Sequence, residues 1–294
     1  MNIIQLVLAQ YGGTATRAQL LEVITRAQLR SGLKAGHLVR VRRGVYSLPM
    51  DEDVARAAGI GAVPSHRSAA LHHGLAVLHR PERPEAVISR ARSIPVPEDV
   101  DLRFRVLADD DHDGTATSVL RTVIDCARDL PLTESLSVAD SALRTGALTR
   151  DDLDAAIERL PRTGRARAAR VLRLASGEAA NPFESGLRAL AIEASDEIWV
   201  PQCPITLRTG LVLHADAGSS AGRIALEADS HEFHASRGDI VRDCHRYNEM
   251  TIAGWVVLRF AWEHVMFHPE WVREVIAWVV RQRVSVSRGS SRSA

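Results

Sequence analysis

Within residues 14–48 the period of the hydrophobic residues changes from that of a helix to that of a strand. Apolar residues recur at helical spacing in two short segments, and each segment follows a threonine, Thr14 or Thr16 for the first and Thr25 for the second. A threonine at this position caps the free N–H groups of the first helical turn. Apolar and basic residues then alternate before Gly44, which is typical of a short β-hairpin. The segment is therefore restricted to folds in which two helices and a hairpin share one small core.

A further helix is predicted over Ile3–Gln10, so that residues 1–50 contain three helices and a hairpin. This order is typical of a winged helix-turn-helix domain, in which one helix enters a DNA groove and the hairpin contacts phosphates. Both elements are basic, because Arg26, Arg30 and Lys34 recur every four residues along the third helix and further arginines follow in the hairpin. The predicted DNA-binding residues are Thr25, Arg26, Gln28, Arg30, Lys34, Arg40, Arg42 and Arg43.

Basic charge is concentrated in this predicted domain. Residues 1–50 contain seven basic residues and one acidic residue, whereas the whole chain has a net charge of only +1. A basic module at one end of a nearly neutral chain is typical of proteins that bind nucleic acids. The alternative interpretation is that these arginines only solvate a small interaction domain.

Residues 51–176 are predicted to form a middle region that mixes helices and strands. Residues 54–78 have mainly helical character, residues 86–89 and 102–107 are predicted strands, and several helices follow from Ser118. The region also contains four histidines, but no cysteines or carboxylates accompany them at metal-ligand spacing, and a metal site is not expected there. These histidines are His66, His72, His73 and His79.

Residues 177–283 are predicted to form an α/β domain. Its elements are a helix over Phe183–Ala194, strands over Val212–Asp216 and Arg223–Asp229, a helix over Ser236–Ala253, a buried strand over Trp255–Phe260 and a helix over Pro269–Arg283. The serine- and arginine-rich residues 284–294 are expected to be a disordered tail. The predicted fold class of the whole chain is therefore multi-domain α/β.

Acidic residues of this α/β domain are candidates for a catalytic site. Asp216 is predicted to end one strand, and Glu227 and Asp229 lie two residues apart on the next, so that they share one face. Glu184 lies on the preceding helix and completes the predicted catalytic set. Asp216 and Glu227 are the predicted ligands of a Mg²⁺ ion, which would position water beside a scissile phosphate. The alternative is that the acids are structural, for example through a surface pair of Glu184 with Arg188.

A resemblance supports the catalytic interpretation. The residues that carry it are Asn181–Ser185, Asp216, Glu227–Asp229, His234, Arg242–Asp243 and Gly254–Phe260. This pattern resembles the PD-(D/E)XK nuclease superfamily, and within it the branch similar to very-short-patch-repair endonucleases. The resemblance implies that Glu184, Asp216 and Glu227 are metal-binding acids, and it places Asp229 where these nucleases usually have a lysine. The missing lysine argues against hydrolysis.

The N-terminal half has a resemblance of its own. It is carried by residues 16–48, with Val-Arg-Arg-Gly-Val-Tyr at 41–46, and by the run from Ser65 to Leu75. This half is similar to AbiEi-type antitoxins of bacterial toxin–antitoxin systems. The resemblance implies a protein that represses its own operon and opposes a nucleotidyltransferase-like toxin.

The leading hypothesis is therefore a DNA-binding antitoxin that represses transcription from its own promoter, with a nuclease-like C-terminal domain that is catalytically silent. One alternative is a Mg²⁺-dependent endonuclease targeted by the winged helix, and another is a protein-interaction scaffold. The leading hypothesis requires no cofactor, and direct contact with the toxin is left open. Three scattered cysteines and the lack of a membrane-length apolar run favour the reducing cytoplasm and exclude a membrane partner.

Overall fold

The computed structural model describes residues 14–35, 37–42, 44–47, 56–57, 60–92, 94–112, 116–229 and 237–290. The chain is a mixed α/β protein that divides into two compact units, residues 1–177 and 178–294. This confirms the α/β class expected from the sequence. In the described part of the chain, no helix is both long enough and apolar enough to span a membrane.

The first unit begins with two helices and a small antiparallel sheet. Its elements are β1 (Thr14–Thr16), α1 (Arg17–Val23), α2 (Arg26–Lys34), β2 (Val39–Arg42) and β3 (Val45–Ser47). The strands are ordered β1-β3-β2, so β3 pairs with both neighbours. The sequence analysis did not predict β1, because a strand of three residues has no period of its own and forms only through its pairing with β3. The predicted helix over residues 3–10 and the predicted DNA-binding residue Arg43 lie outside the described residues.

The two helices of this segment start in the same way. The sequence Thr-Arg-Ala-Gln-Leu occurs at residues 16–20 and again at residues 25–29. In both copies the threonine side chain accepts a hydrogen bond from the glutamine backbone, and the glutamine side chain accepts one from the threonine backbone. The leucines of the two copies, Leu20 and Leu29, are buried together with Ile24, Leu38 and Tyr46. A repeated local signal therefore sets both helix starts and supplies two of the six buried residues of the small core.

The remainder of the first unit contains a second sheet, made of β4 (Val63–Pro64), β5 (Glu85–Ser89) and β6 (Asp101–Arg105) in that order. Strand β4 is antiparallel to β5, and β6 is parallel to it. The helical prediction for residues 54–78 holds only in part: among the described residues of this range, 56–57 and α3 (His66–His72) are helical, whereas β4 and residues 74–78 are not. That helix stops at Gly74, whose φ of 72° is a left-handed conformation.

Four helices follow this sheet along the chain. They are α4 (Val119–Asp129), α5 (Leu132–Arg144), α6 (Arg150–Arg159) and α7 (Arg165–Leu174). Helix α4 begins where the sequence predicts it, because the side chain of Ser118 accepts a hydrogen bond from the backbone of Arg121. It packs against α3, α5 and α7, and Asp129 at its end accepts a hydrogen bond from Arg105 of β6.

The second unit is built on a four-stranded sheet. Its elements are α8 (Pro182–Ala194), β7 (Val200–Thr206), β8 (Val212–Ser219), β9 (Ile224–Asp229), α9 (Arg237–Ile252), β10 (Val256–Ala261), α10 (Trp262–Phe267) and α11 (Pro269–Ser290). The strand order is β10-β9-β8-β7, with β10 parallel to β9 and the other pairs antiparallel. Helices α8 and α11 pack together and cover one face through a core that includes Phe183, Leu226, Phe260 and Ile276.

Several sequence predictions for this unit need correction. Strand β7 was not predicted, and β8 extends to Ser219, so Asp216 lies inside a strand and not at its end. The strand predicted to be buried, β10, has only Phe260 fully buried, because it lies at the edge of the sheet. Helix α11 continues to Ser290 and so includes residues 284–290, which the sequence analysis assigned to the tail. No proline or glycine interrupts that segment before Gly289.

Candidate functional site

The solvent-facing side of α2 carries the predicted basic stripe. The side chains of Arg26, Arg30 and Lys34 are exposed, whereas Leu29, in the neighbouring sector of the helix, is buried in the small core. Within the described residues, none of the three cations is held by a carboxylate or by another hydrogen-bonding side chain. Three positive charges are therefore free to meet an external anion.

The predicted hairpin contacts are described only in part. Arg40 lies on β2 with an exposed side chain, and the register of β2 against β3 shifts between Arg40 and Arg42. For Arg42 only the strand position is described, and Arg43 lies outside the described residues. The basic surface that the structure does define consists of Arg26, Arg30 and Lys34 with Arg40.

Thr25 and Gln28, also predicted as DNA-binding residues, form the cap of α2. The backbone N–H of Thr25 donates to Oε1 of Gln28 at 2.8 Å, and the backbone N–H of Gln28 donates to Oγ1 of Thr25 at 3.2 Å. The cap uses the oxygen of the Gln28 amide and leaves its NH₂ group unengaged by Thr25. Their first role is thus to fix the start of the helix that presents the basic stripe.

Removing this cap has a predictable cost. We expect Thr25→Ala to lower the free energy of unfolding by about 1 kcal/mol, because the N–H of Gln28 loses its acceptor. Urea unfolding followed by circular dichroism measures the change. Thr25→Ser keeps the hydroxyl and serves as the control, so equal stability of the two variants would contradict the capping role.

In the second unit, three of the predicted catalytic acids come together, and each is engaged by the protein. Asp216 Oδ2 accepts a hydrogen bond from the backbone N–H of Ala228 at 2.7 Å. Arg246, on α9, donates to Oε1 of Glu227 at 3.0 Å. Asp229 forms an ion pair with Arg259 of the neighbouring strand β10. Guanidinium groups therefore already neutralise two of the three acids.

The pKa values of Asp216 and Glu227 reflect their enclosure. Burial raises the pKa of Glu227 to about 7, and the negative charge of Asp216 adds to this effect, whereas Arg246 opposes it. Burial also raises the pKa of Asp216, against the hydrogen bond from Ala228. Near neutral pH this pair therefore holds a proton for part of the time, and such perturbed carboxylates are typical of functional sites.

The raised pKa of Glu227 predicts a pH dependence of stability. Because the folded pKa of about 7 exceeds the usual value of 4.5, the folded state binds more protons than the unfolded state between these two pH values. The contribution of Glu227 to the free energy of unfolding is therefore complete below pH 4.5 and is lost as the pH rises through about 7.

We expect Glu227→Gln to remove a pH-dependent term of roughly 2–3 kcal/mol from the stability of the protein. This difference in the free energy of unfolding is measured by denaturant unfolding of the wild type and the variant. The measurements are made at pH values between 4 and 8, about one unit apart. The matched control is Asp196→Asn, an exposed acid of the same unit. Parallel pH profiles for wild type and Glu227→Gln would show that Glu227 titrates normally.

Glu184, the fourth predicted acid, caps a helix. Its carboxylate accepts hydrogen bonds from the backbone N–H of Ala180 at 2.8 Å, from the side chain of Asn181 at 2.9 Å and from the side chain of Gln202 at 3.3 Å. Asn181 in turn accepts from the backbone of Glu184 and starts α8. Nowhere in the described ranges do three His, Cys, Asp or Glu side chains form a cluster able to hold a metal ion.

Sequence reasoning missed a network of ion pairs beside β5 and β6. Glu85, whose side chain is fully buried, accepts hydrogen bonds from Arg67 and Arg103. Asp129, at the end of α4, accepts from Arg105 at 2.7 Å and lies 3.0 Å from Nε2 of His66. The alternation of arginines on β6 was the available signal, because residues two apart on a strand share one face.

Comparison with known proteins shows where related chains occur. No family model matches the chain. Two proteins of Mycobacterium tuberculosis, from strains CDC 1551 and H37Rv and both described as uncharacterized, are each 27% identical to it over 258 residues, which cover 84% of this chain and 93% of theirs. The crystal structure of the Rv2827c protein from Mycobacterium tuberculosis aligns with 68% of this chain and 83% of its own, with a TM-score of 0.32 and 17% identity. The sequence similarity therefore extends over both units without assigning an activity.

Proposed function

We propose that the protein is a DNA-binding repressor and that its N-terminal segment, including residues 14–47, is a winged helix-turn-helix in which α2 enters the major groove. The observation that carries this proposal is the exposed face of α2, where Arg26, Arg30 and Lys34 lie beside the sector of the buried Leu29 and have no intramolecular counter-charge among the described residues. An unneutralised basic stripe on a rigidly capped helix is suited to bind phosphates.

The dimensions of α2 fit this role. Residues four apart on a helix are separated by about 6 Å along its axis, so the stripe from Arg26 to Lys34 extends about 12 Å. The major groove of B-DNA is about 12 Å wide, and it accommodates one helix. Side chains at both ends of the stripe are then able to reach phosphates, while the residues between them face the bases.

We further propose that this repressor is an antitoxin that acts on its own promoter. This step rests on the similarity of residues 16–48 and 65–75 to AbiEi-type antitoxins. The expected partner is a nucleotidyltransferase-like toxin encoded next to it. Co-expression of this chain with the product of the neighbouring reading frame is expected to restore growth that the toxin alone prevents, and failure to do so would limit the protein to repression.

DNA binding is tested by fluorescence anisotropy on the protein's own promoter and on a random duplex of equal length. We expect tighter binding to the promoter, with an affinity for both duplexes that falls steeply as salt is added. Equal affinity for the two would contradict specific repression. The absence of binding to either at low salt would contradict the DNA-binding proposal and favour a protein-interaction scaffold.

A Mg²⁺-dependent nuclease is the second candidate, and the proximity of Asp216 and Glu227 in the second unit favours it. We propose that residues 177–283 have a nuclease-like core, since α8, the antiparallel strands β7 to β9, α9 and the parallel strand β10 follow one another there and carry the residues on which the resemblance rests. Arg246 and Arg259 must release their acids before a metal can bind. We therefore expect that the protein does not cleave plasmid DNA in the presence of Mg²⁺ or Mn²⁺. Cleavage that is abolished by Asp216→Ala would favour the nuclease.

A further inference from the structure

Helix α11 exposes tryptophan on the side that faces solvent. Val272 and Ile276 are fully buried on its inner side, whereas Trp271 is 46% exposed and Trp278 is 58% exposed on the outer side. Trp271 rests edge-on against Phe260, so its outer half remains free. Aromatic residues with this degree of exposure are typical of protein interfaces, where they contribute much of the binding energy.

Two charged residues frame the more exposed tryptophan. Glu274 lies one turn before Trp278 and Arg281 nearly one turn after it, both on the same outer side and both exposed. Among the described residues, neither charge has an ion-pair partner, unlike the neighbouring Arg273, which pairs with Glu193 and Glu270. The outer side of α11 therefore carries an acid, a tryptophan and a base in chain order, namely Glu274, Trp278 and Arg281.

This order is complementary to itself. The midpoint between Glu274 and Arg281 lies next to Trp278, and each charge is about 5 Å from that midpoint along the helix axis. A two-fold axis through the midpoint sets a second α11 antiparallel to the first. Glu274 of each copy then lies opposite Arg281 of the other, which gives two ion pairs. The two Trp278 side chains lie next to each other at the axis. An interface between identical subunits requires this kind of self-complementarity.

We infer that the outer side of α11 is a dimer interface, and that its occupant is a second copy of this chain. In this dimer Glu274 and Arg281 of each copy are paired, and the Trp278 side chains of both copies are removed from water. No other partner is required. A nucleic acid or an anionic membrane fits this surface poorly, because Glu274 places a negative charge beside Trp278. The inference is independent of the proposed DNA binding.

Sedimentation velocity of the full chain tests the interface. We expect the wild type to have twice the mass of the 32.2 kDa chain. Glu274→Arg and Arg281→Glu should each weaken the dimer at least about tenfold, because each creates two like-charge contacts across the axis. The double variant Glu274→Arg with Arg281→Glu should restore the dimer, and Trp278→Glu should give a monomer. The control is Ile198→Glu, which changes an 80% exposed apolar residue of the same unit and should leave the dimer intact.

Three results would overturn the inference. The first is a wild-type protein that stays monomeric at every concentration. The second is a folded Trp278→Glu variant that still dimerises. The third is a double charge variant that is no more dimeric than the single variants, and this result stands even if Trp278→Glu does not fold.

Discussion

Replacing Arg26, Arg30 and Lys34 together with alanine is expected to weaken DNA binding by at least about a hundredfold at low salt. The three side chains are exposed, so their removal leaves the buried Leu29 and the cap at Thr25 in place. Each phosphate contact also releases bound counterions, and the slope of log affinity against log salt should therefore fall by about 3. Anisotropy titrations at several salt concentrations measure both quantities.

The matched control removes the same charge elsewhere in the first unit. Arg167, Arg170 and Arg173 are exposed on α7, and their replacement with alanine also takes away three positive charges. If the position of the charges on α2 matters, this control variant keeps most of the DNA affinity of the wild type and most of its dependence on salt. Equal losses in both triple variants would mean that net charge alone attracts DNA, and the assignment of α2 to a groove would be wrong.

Glu85→Gln is expected to destabilise the protein by about 3 kcal/mol. The side chain of Glu85 is fully buried, and Arg67 donates to it from the backbone at 2.8 Å and from the guanidinium at 3.1 Å. Burial alone would raise the pKa of Glu85, but the hydrogen bond and the positive charge of Arg67 lower it below its usual value. The amide of the variant keeps the shape but removes the carboxylate nearest to Arg67 and Arg103, which then have only the more distant Glu134, 3.8 Å from Arg67, and Asp129, 3.7 Å from Arg103.

Urea unfolding of Glu85→Gln and of Glu158→Gln measures this effect. Glu158 is exposed on α6, so its replacement should change stability by less than about 0.5 kcal/mol. Because the folded pKa of Glu85 is lowered, its contribution is present near neutral pH and is lost as the pH falls through that value. The difference between wild type and Glu85→Gln should therefore shrink in acid, and a constant difference would contradict the ion-pair explanation.

Local signals were enough to predict the helices that present the candidate DNA surface. Helix α1 begins directly after Thr16, one of the two threonines predicted to cap it, and α2 begins directly after its predicted cap at Thr25. Helix capping and hydrophobic spacing involve residues only three or four positions apart, so both can be recognised in a short stretch of the sequence. The same holds for α8, which starts one residue before its predicted position at Phe183.

Strands and ion pairs were less predictable, because their partners are distant in the chain. Strands β1, β4 and β7 were missed, and each is defined by its pairing with another strand and not by a pattern of its own. The carboxylates of the second unit were correctly placed on neighbouring strands. Their neutralisation by Arg246 and Arg259, which come from a later helix and a later strand, was not foreseen.

The sequence by itself thus determined the basic stripe of α2, since a four-residue spacing of cations around a buried leucine is a property of one helix. Only the tertiary structure decided what the buried charges do. Glu85 and Arg103 are paired because β5 and β6 lie side by side, and the pKa of Glu227 is raised because folding buries it near the negative charge of Asp216. The energy of a charge depends on what surrounds it in space, and that arrangement is set by contacts between residues far apart in the chain.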